Sequence, residues 1–368
     1  MLNFAPTEEQ EEIRRLAHSL AVDELRPQAR AAEKAGDISP ALQRTLAETG
    51  LTTPFPESLG GSGTIEAITY TLIAEELAYG DGGLAMNILG SMMGPLTVSL
   101  AGDERQQHYF IAPFCDEQEG YKQRGSLAFA ERTGGYALAD ISATARPDGN
   151  HYILHGVKRD VLGGANANLR VVLARLEGTT GIDGICAFVI PTNEAGLQVS
   201  HDVQKLGLIA APSAAYILEN VAVPTSCMLG EPGNTGVVHA VTLYEILRAG
   251  VACGMARAAF EYATNYAKER IAFGRPIASY QGIAFMIAEM AMKLDAARLL
   301  VWRATASWDR NGDSADNATL VQEAEAAQAQ AIKVAKANTI DAIQVMGGAG
   351  FMQDHPAEMW MRNAAAME

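Results

Sequence analysis

Two glycine-broken stretches near the end of the chain gather residue types that suit a phosphate and a flat ring. The first is "KERIAFGRPIASYQ", where Arg270 and Gln281 stand on either side of a break forced by Gly274 and Pro276. A guanidinium is a rigid fork of donors that matches phosphate oxygens. Gln281 both donates and accepts, and Phe273 offers an apolar face. A helix turn with an incidental arginine explains the same spacing. The second stretch is "QVMGGAG", where Gln344 precedes Gly347, Gly348 and Gly350. Such glycines expose backbone N–H groups as anion-cradling turns do, whereas a plain helix end needs one glycine, not three.

Other chemistry-bearing residues are weaker. His151 and His155 fall on one face of an expected strand, and two ligands without a third make a poor metal site. "LGSMMG" lacks the spacing of a nucleophile elbow. "SLGGSG" does not lie between a strand and a helix, which removes a dinucleotide-binding βαβ reading. Cys115, Cys186, Cys227 and Cys253 are far apart, as reduced, packed thiols would be.

The elements that must position these residues follow from periodicity. Thr7 and Gln10 form a capping box ahead of a helical run, Ser39-Pro40 opens a second helix that Gly50 ends, and Asp103 caps another. Helices are expected over 64–79 and, as a buried pair, across the uncharged window 82–102. That window is nearly long enough to span a bilayer but carries Asn87, Pro95 and several glycines. From Gly125 the runs "SLAFAE", "HYILHGVK", "RVVLARL", "GICAFVIP" and "AAYILENVAV" are short and β-rich, with turn signals between them, as in an antiparallel barrel or sandwich. Long helices return over 237–270, 279–310 and 316–346. The expected domains are 1–124, 125–233 and 234–368. The 368 residues carry a formal charge of −15, scattered along the chain, which disfavours nucleic acid or an anionic membrane as partner. The start "MLNFAPTEEQ" has no signal-peptide pattern, and a cytoplasmic location is expected.

At the two glycine corners, and in the order helical domain, β-domain, four-helix bundle, the chain resembles the acyl-CoA dehydrogenase family. The resemblance implies an α+β fold with an N-terminal all-α domain, a middle antiparallel β-domain and a C-terminal four-helix bundle. It pairs "R-x-x-F-G-x-P-I-x-x-x-Q" with "Q-x-x-G-G-x-G". It implies that Arg270, Phe273 and Gln281 hold the ADP part of FAD while Gln344, Gly347 and Gly348 reach it from a neighbouring subunit, in a dimer or, as is usual for the family, a tetramer. In the β-domain the family's "T-E-P-x-x-G-S-D" becomes "AERTGGYA": Glu131 and Gly135 match, and Ala130, Arg132, Tyr136 and Ala137 depart. The later "W-I-T" becomes Asp160, Val161 and Leu162. Backbone contacts from Ala130 and Leu162 to the flavin survive such changes; a threonine hydroxyl contact does not.

The implied reaction is α,β-desaturation of an acyl-CoA thioester, with electrons passed to an electron-transfer flavoprotein. It needs a group that removes the α-proton, and a carboxylate in a dry site suits that. Most of the family carries this Glu in a loop after an "R-D-A" segment, which is Arg362, Asn363 and Ala364 here; the sequence ends at Glu368, ahead of that loop. A minority carries it on the first bundle helix, where the register falls on Tyr244, with Glu245 next. One residue turns a helical side chain by about 100°. Glu245 is therefore either the catalytic carboxylate or the i,i+3 structural partner of Arg248. Arg248 and Tyr136 are expected near the substrate, and Thr242 replaces the family's CoA-contacting Asp. Such departures resemble partner chains of two-component acyl-CoA dehydrogenases, so a hetero-oligomer in which this chain completes another's FAD site is the alternative. A flavin oxidase or monooxygenase on the same fold is a third reading.

Overall fold

A computed structural model describes residues 6–63, 65–131, 137–191, 194–201, 204–310 and 317–368. Helix α1 (Glu8–Leu20) starts at the expected Thr7–Gln10 capping box and runs through one wide turn into α2 (Arg26–Ala35). Ser39 caps α3 (Pro40–Glu48), and Gly50 follows with a φ of 72°. Next come α4 (Ala67–Gly80), α5 (Gly82–Ala101) and α6 (Glu104–Ile111), the last capped by Asp103.

The expected pair of helices across the uncharged window is one continuous helix, α5, with Pro95 inside it. Tertiary packing overrides the glycine and proline signals: all but three of its residues are buried among α7, α4 and the sheet introduced below. Two helices, Gly82–Ala101 and Thr235–Glu269, are long and apolar enough to cross a bilayer, and both lie inside the protein core.

The middle of the chain forms an eight-stranded sheet from β1 (Gly125–Ala128), β2 (Thr144–Asp148), β3 (His151–Leu162), β4 (Leu169–Leu176), β5 (Ile185–Ile190), β6 (Leu197–His201), β7 (Ser213–Pro224) and β8 (Met228–Leu229), in the order β6-β7-β3-β2-β4-β5-β8 with β1 beside β4. It is antiparallel except where β4 runs parallel to β1 and β2. That departs from the all-antiparallel expectation, because the β2–β3 hairpin supplies the long return that parallel neighbours require. Strands β4 and β5 show why their sequences lack alternation. Val171, Leu173, Ala187 and Val189 pack toward the helices, while Val172, Ala174, Cys186 and Phe188 fill a second core. His151 and His155 lie on an exposed strand face, and no metal-binding cluster occurs among the described residues. None of the four cysteines forms a disulfide.

The C-terminal part is α7 (Thr235–Glu269), a two-strand corner of β9 (Ile271–Ala272) and β10 (Arg275–Pro276), then α8 (Gln281–Arg310), α9 (Asn317–Met346) and α10 (Ala357–Ala365). Helix α7 is the axis of the molecule, packed on α9, α4, α5 and α8. Helices α4 and α7 meet without side chains at two points. A Cβ on Gly254 would stand 2.1 Å from the Glu75 carbonyl oxygen, and one on Gly250 would stand 3.1 Å from that of Thr71. This approach brings Glu75 and Glu76 to Arg257 and Arg298. Arg298 Nη2 donates to Glu75 at 2.7 Å, and Arg257 pairs with Glu76. Burial alone would raise the Glu76 carboxyl, but Arg257, helped by His18, holds it below the usual carboxylate range.

Gly254→Ala is expected to force α4 and α7 apart and cost ~1–3 kcal/mol or more in urea denaturation. Gly282→Ala, where an added Cβ meets nothing within 4 Å, should change stability by under ~1 kcal/mol.

Candidate active site

The α7–α8 corner turns tightly. Phe273 and Gly274 take positive φ values of 50° and 84°, the Arg270 carbonyl accepts from Ile277 N–H at 2.9 Å, and Tyr280 Oη donates to the Ala272 carbonyl at 2.9 Å. A phenylalanine in left-handed backbone carries strain that a glycine would not. The backbone therefore spends its hydrogen bonds on the turn, and the side chains of Arg270, Phe273 and Gln281 all face outward, Phe273 being 97% exposed. The structure brings these three expected residues together on one corner.

The far corner is equally open. Helix α9 ends in a short 3₁₀ turn over Gly347–Ala349, with Gly347 at φ 59°. An added Cβ on Gly347 or Gly348 would meet nothing within 4 Å, whereas one on Gly350 would stand 2.7 Å from the Ile343 carbonyl oxygen. The three glycines thus divide their work: Gly350 permits close packing, and Gly347 and Gly348 leave a bare face. Gln344 is exposed one turn before them. The donor set and the uncovered backbone suit a nucleotide diphosphate.

Ala130 and Leu162 also come together. They line a narrow cleft with Gly90, Met93, Leu127, Phe129, Arg159, Asp160 and Tyr244, around an internal volume of about 10 Å³. The cleft exists because α5 has a glycine there: a Cβ on Gly90 would lie 2.7 Å from Leu162 Cβ. A β-bulge between Lys158 and Val161, with Asp160 at φ 52°, turns Arg159 and Asp160 toward the cleft. The Ala130 carbonyl accepts from Arg159 N–H at 3.0 Å. A larger cavity of about 70 Å³, lined by Leu46, Ile88, Met92 and Phe114 among others, lies on the opposite face of α5.

Behind the cleft, Lys158 is fully buried and its Nζ donates to Glu131 Oε1 at 2.5 Å and to the Phe129 carbonyl at 3.2 Å. Glu131 also accepts from the backbone N–H groups of Ser142 and Ala143. Burial pushes the Lys158 ammonium down to about 8 against the pull of Glu131. Burial would raise Glu131, but Lys158 and these hydrogen bonds hold it below its ordinary value. The pair fixes the end of β1 and the segment that carries Ala130. Its match to the family was legible at Glu131; the role of Lys158 was missed, although a lysine inside the β-run "HYILHGVK" was the available signal.

The residues around the expected base separate. Tyr244 lines the cleft, and its ring stands edge-on to Phe129 at 5.6 Å. Glu245 is not among the cleft residues. It is buried, and burial, reinforced by Glu325 of α9 and opposed by Arg248, pushes its carboxyl up to about 8. Arg248 donates from Nη2 to the Met367 carbonyl at 2.8 Å. The hydroxyl of Thr242 bonds within α7, to the Val238 carbonyl. Tyr136, with Arg132 and Gly135, lies outside the described residues.

Lys158→Met would leave the Glu131 carboxylate buried without its cation and should cost ~3–5 kcal/mol in urea denaturation, part of which the double variant with Glu131→Gln recovers. For Glu245, the unfolded chain releases a proton near pH 4.5 that the folded chain holds to about 8. Its contribution to stability therefore falls as pH rises through that window and then levels off. Glu245→Gln should flatten that decline when urea midpoints are compared at about pH 5 and pH 8.

Comparison with known proteins agrees with this architecture. The N-terminal, middle and C-terminal domain models of acyl-CoA dehydrogenase match residues 7–118, 126–221 and 234–368. A 3-(aryl)acrylate reductase of Clostridium sporogenes is 32% identical over 97% of this chain and 93% of its own length. The structure of butyryl-CoA dehydrogenase from Megasphaera elsdenii is similar with a TM-score of 0.88 at 27% identity, covering 100% of this chain and 95% of that one. A chain in a structure described as the electron transferring flavoprotein of Acidaminococcus fermentans, in work on flavin-based electron bifurcation, is similar with a TM-score of 0.88 at 30% identity, covering 100% and 94%. Matched along almost its whole length and in all three parts, the chain belongs to the acyl-CoA dehydrogenase family, oxidoreductases that act on CH–CH bonds.

Proposed function

We propose that the protein is an FAD-dependent oxidoreductase that interconverts an acyl-CoA thioester and its α,β-unsaturated form, exchanging electrons with an electron-transfer flavoprotein. The observation that carries this reading is the pair of open corners. Arg270, Phe273 and Gln281 face outward at one, and Gln344 stands beside the bare Gly347–Gly348 backbone at the other. Arg270 and Gln281 would hold the diphosphate, Phe273 would cover the adenosine end, and Gln344, Gly347 and Gly348 of a second copy would complete the grip. FAD bound there supplies a two-electron acceptor for the β-hydrogen. The chain itself orients the substrate, excludes water at the cleft and moves the α-proton.

Association of copies, as a dimer or tetramer, is supported by a stripe on α8. Phe285, Met292 and Leu299 recur every seven residues and are 59%, 64% and 52% exposed. A short acyl group would be in keeping with the butyryl-CoA dehydrogenase likeness. Placing Ala130 where the family has threonine leaves the flavin edge with backbone contacts only.

The test is direct. The purified protein should be yellow, and a short-chain acyl-CoA should bleach it. Arg270→Gln should weaken FAD retention about 10-fold or more, the loss of a charge-assisted phosphate contact. A colourless protein that takes up no FAD overturns the reading. A yellow protein that no acyl-CoA bleaches until a related subunit is added moves it to the partner-subunit alternative.

A further inference from the structure

We propose that the cavity on the far side of α5 is a binding site for a small uncharged molecule with an apolar body and an amide or hydroxyl head. This site is separate from the cleft and does not depend on a flavin being bound.

Helix α5 divides two spaces. Gly90 and Met93 face the cleft, whereas Asn87, Ile88, Ser91, Met92 and Pro95 line the cavity of about 70 Å³. At about 30 Å³ per water, that is room for about two waters or one small organic group. Much of the wall is apolar: Ile38, Leu46, Ile88, Met92, Pro95 and Phe114. Such a wall gives a water nothing to bond, and a buried water needs about three polar partners.

The polar part of the lining has unspent capacity. Asn87 is 4% exposed and uses both amide N–H groups, on Asp37 Oδ1 at 2.8 Å and on the Ala210 carbonyl at 2.6 Å. Its own oxygen accepts from no described residue. Pro95 has no N–H, so the Ser91 carbonyl lacks its usual helical donor. The side chains of Ser91, Thr52 and Gln123 make no hydrogen bond with the described residues. Gln43 gives its amide oxygen to Arg124, at 2.6 Å from Nη2 and 3.0 Å from Nε, which leaves its N–H groups as donors. Unpaired polar groups beside an apolar wall cost free energy, and a ligand with both characters recovers it.

Charge sets the ligand class. No lining residue is Asp, Glu, Lys, Arg or His, so an ion would be desolvated there without a counter-charge. Asp37 and Arg124, which Asn87 and Gln43 contact, already pair with each other at 2.9 Å. Ala47, Thr53, Phe114 and Tyr121 line both the cavity and an open surface groove of about 750 Å³, and so form the way in. That groove carries Glu48, Asp116, Glu117 and Glu119 against Arg44. Such a rim repels anions, which removes an acyl-CoA or a free carboxylate as the occupant.

Isobutyramide is the probe, with isobutyrate and isobutylammonium as charged counterparts of the same body. The full-length protein, as purified, is labelled with carbon-13 at the methionine methyls. Met92 in the cavity and Met93 in the cleft then report on opposite faces of α5 by NMR, and are assigned with Met92→Leu and Met93→Leu. Isobutyramide should move the Met92 signal with a Kd of about 1 mM, a modest return per atom for a ligand of that size. Met93 should stay in place. Both charged counterparts should bind at least ~10-fold more weakly. Ala47→Phe, which fills the entrance, should abolish the Met92 response. A Met92 signal that stays still up to about 100 mM amide overturns the proposal and leaves the cavity to water. So does either charged counterpart binding as tightly as the amide, a shift confined to Met93, or an undiminished response in Ala47→Phe. The wild-type comparisons need no variant to fold, and a colourless protein would leave them as decisive as a yellow one.

Discussion

Helix α5 touches three parts of the molecule where it has no side chain, and the width of the cleft depends on that. A Cβ on Gly82 would strike the Met255 sulfur of α7 at 2.2 Å, one on Gly90 would strike Leu162 of β3 at 2.7 Å, and one on Gly94 would strike the Ser126 nitrogen of β1 at 2.7 Å. Because a close-packed interior cannot stretch to absorb even one methyl group, these contacts set the spacing between the helical bundle and the sheet. Ala130, Leu162 and Tyr244 come from three separate segments, and they share a cleft only because α5 lets the layers close to this distance.

Charge is buried around this core in pairs whose partners come from different elements. Arg257 and Arg298 answer Glu75 and Glu76 across the α4–α7–α8 junction, and Lys158 answers Glu131 beside the cleft. Asp81 is a further case. It caps α5 through Leu84 N–H and meets Asn363 of α10, and burial pushes its carboxyl up to about 6. Asn363 Oδ1 in turn accepts from Leu208 N–H, so one amide ties the start of α5 to α10 and to the chain ahead of β7. Removing one partner of such a buried pair would leave the other charge uncompensated, so each pair couples the elements it joins.

The two corners on the bundle have the opposite character. Several of their side chains face outward, the Gly347–Gly348 backbone is uncovered, and an exposed phenylalanine in left-handed conformation is tolerated at the α7–α8 turn. Strain and exposure together at a tight turn add nothing to the stability of one chain, and they are the features that the proposed nucleotide grip would use.

Local chemistry alone determined the helix starts at Thr7, Ser39 and Asp103, the β-rich middle, the long bundle helices and the two glycine corners, because caps, periodicity and turn residues act over a few positions of chain. Motif likeness marked Arg270, Gln281, Gln344 and Glu131; Arg270 and Gln281 share one exposed corner, Gln344 is exposed beside the other, and Glu131 is buried on Lys158. Tertiary structure decided the rest. It made one helix of the window that reads as two, since burial on every side outweighs the cost of Gly and Pro. It also ran β4 parallel to β1 and β2. On α7, a single residue of register put Tyr244 in the cleft and left Glu245 buried outside it. Which of two adjacent side chains faces a site depends on the rotation of the helix about its axis, and that rotation is set by packing against α4, α5 and α9, not by anything local to the two residues.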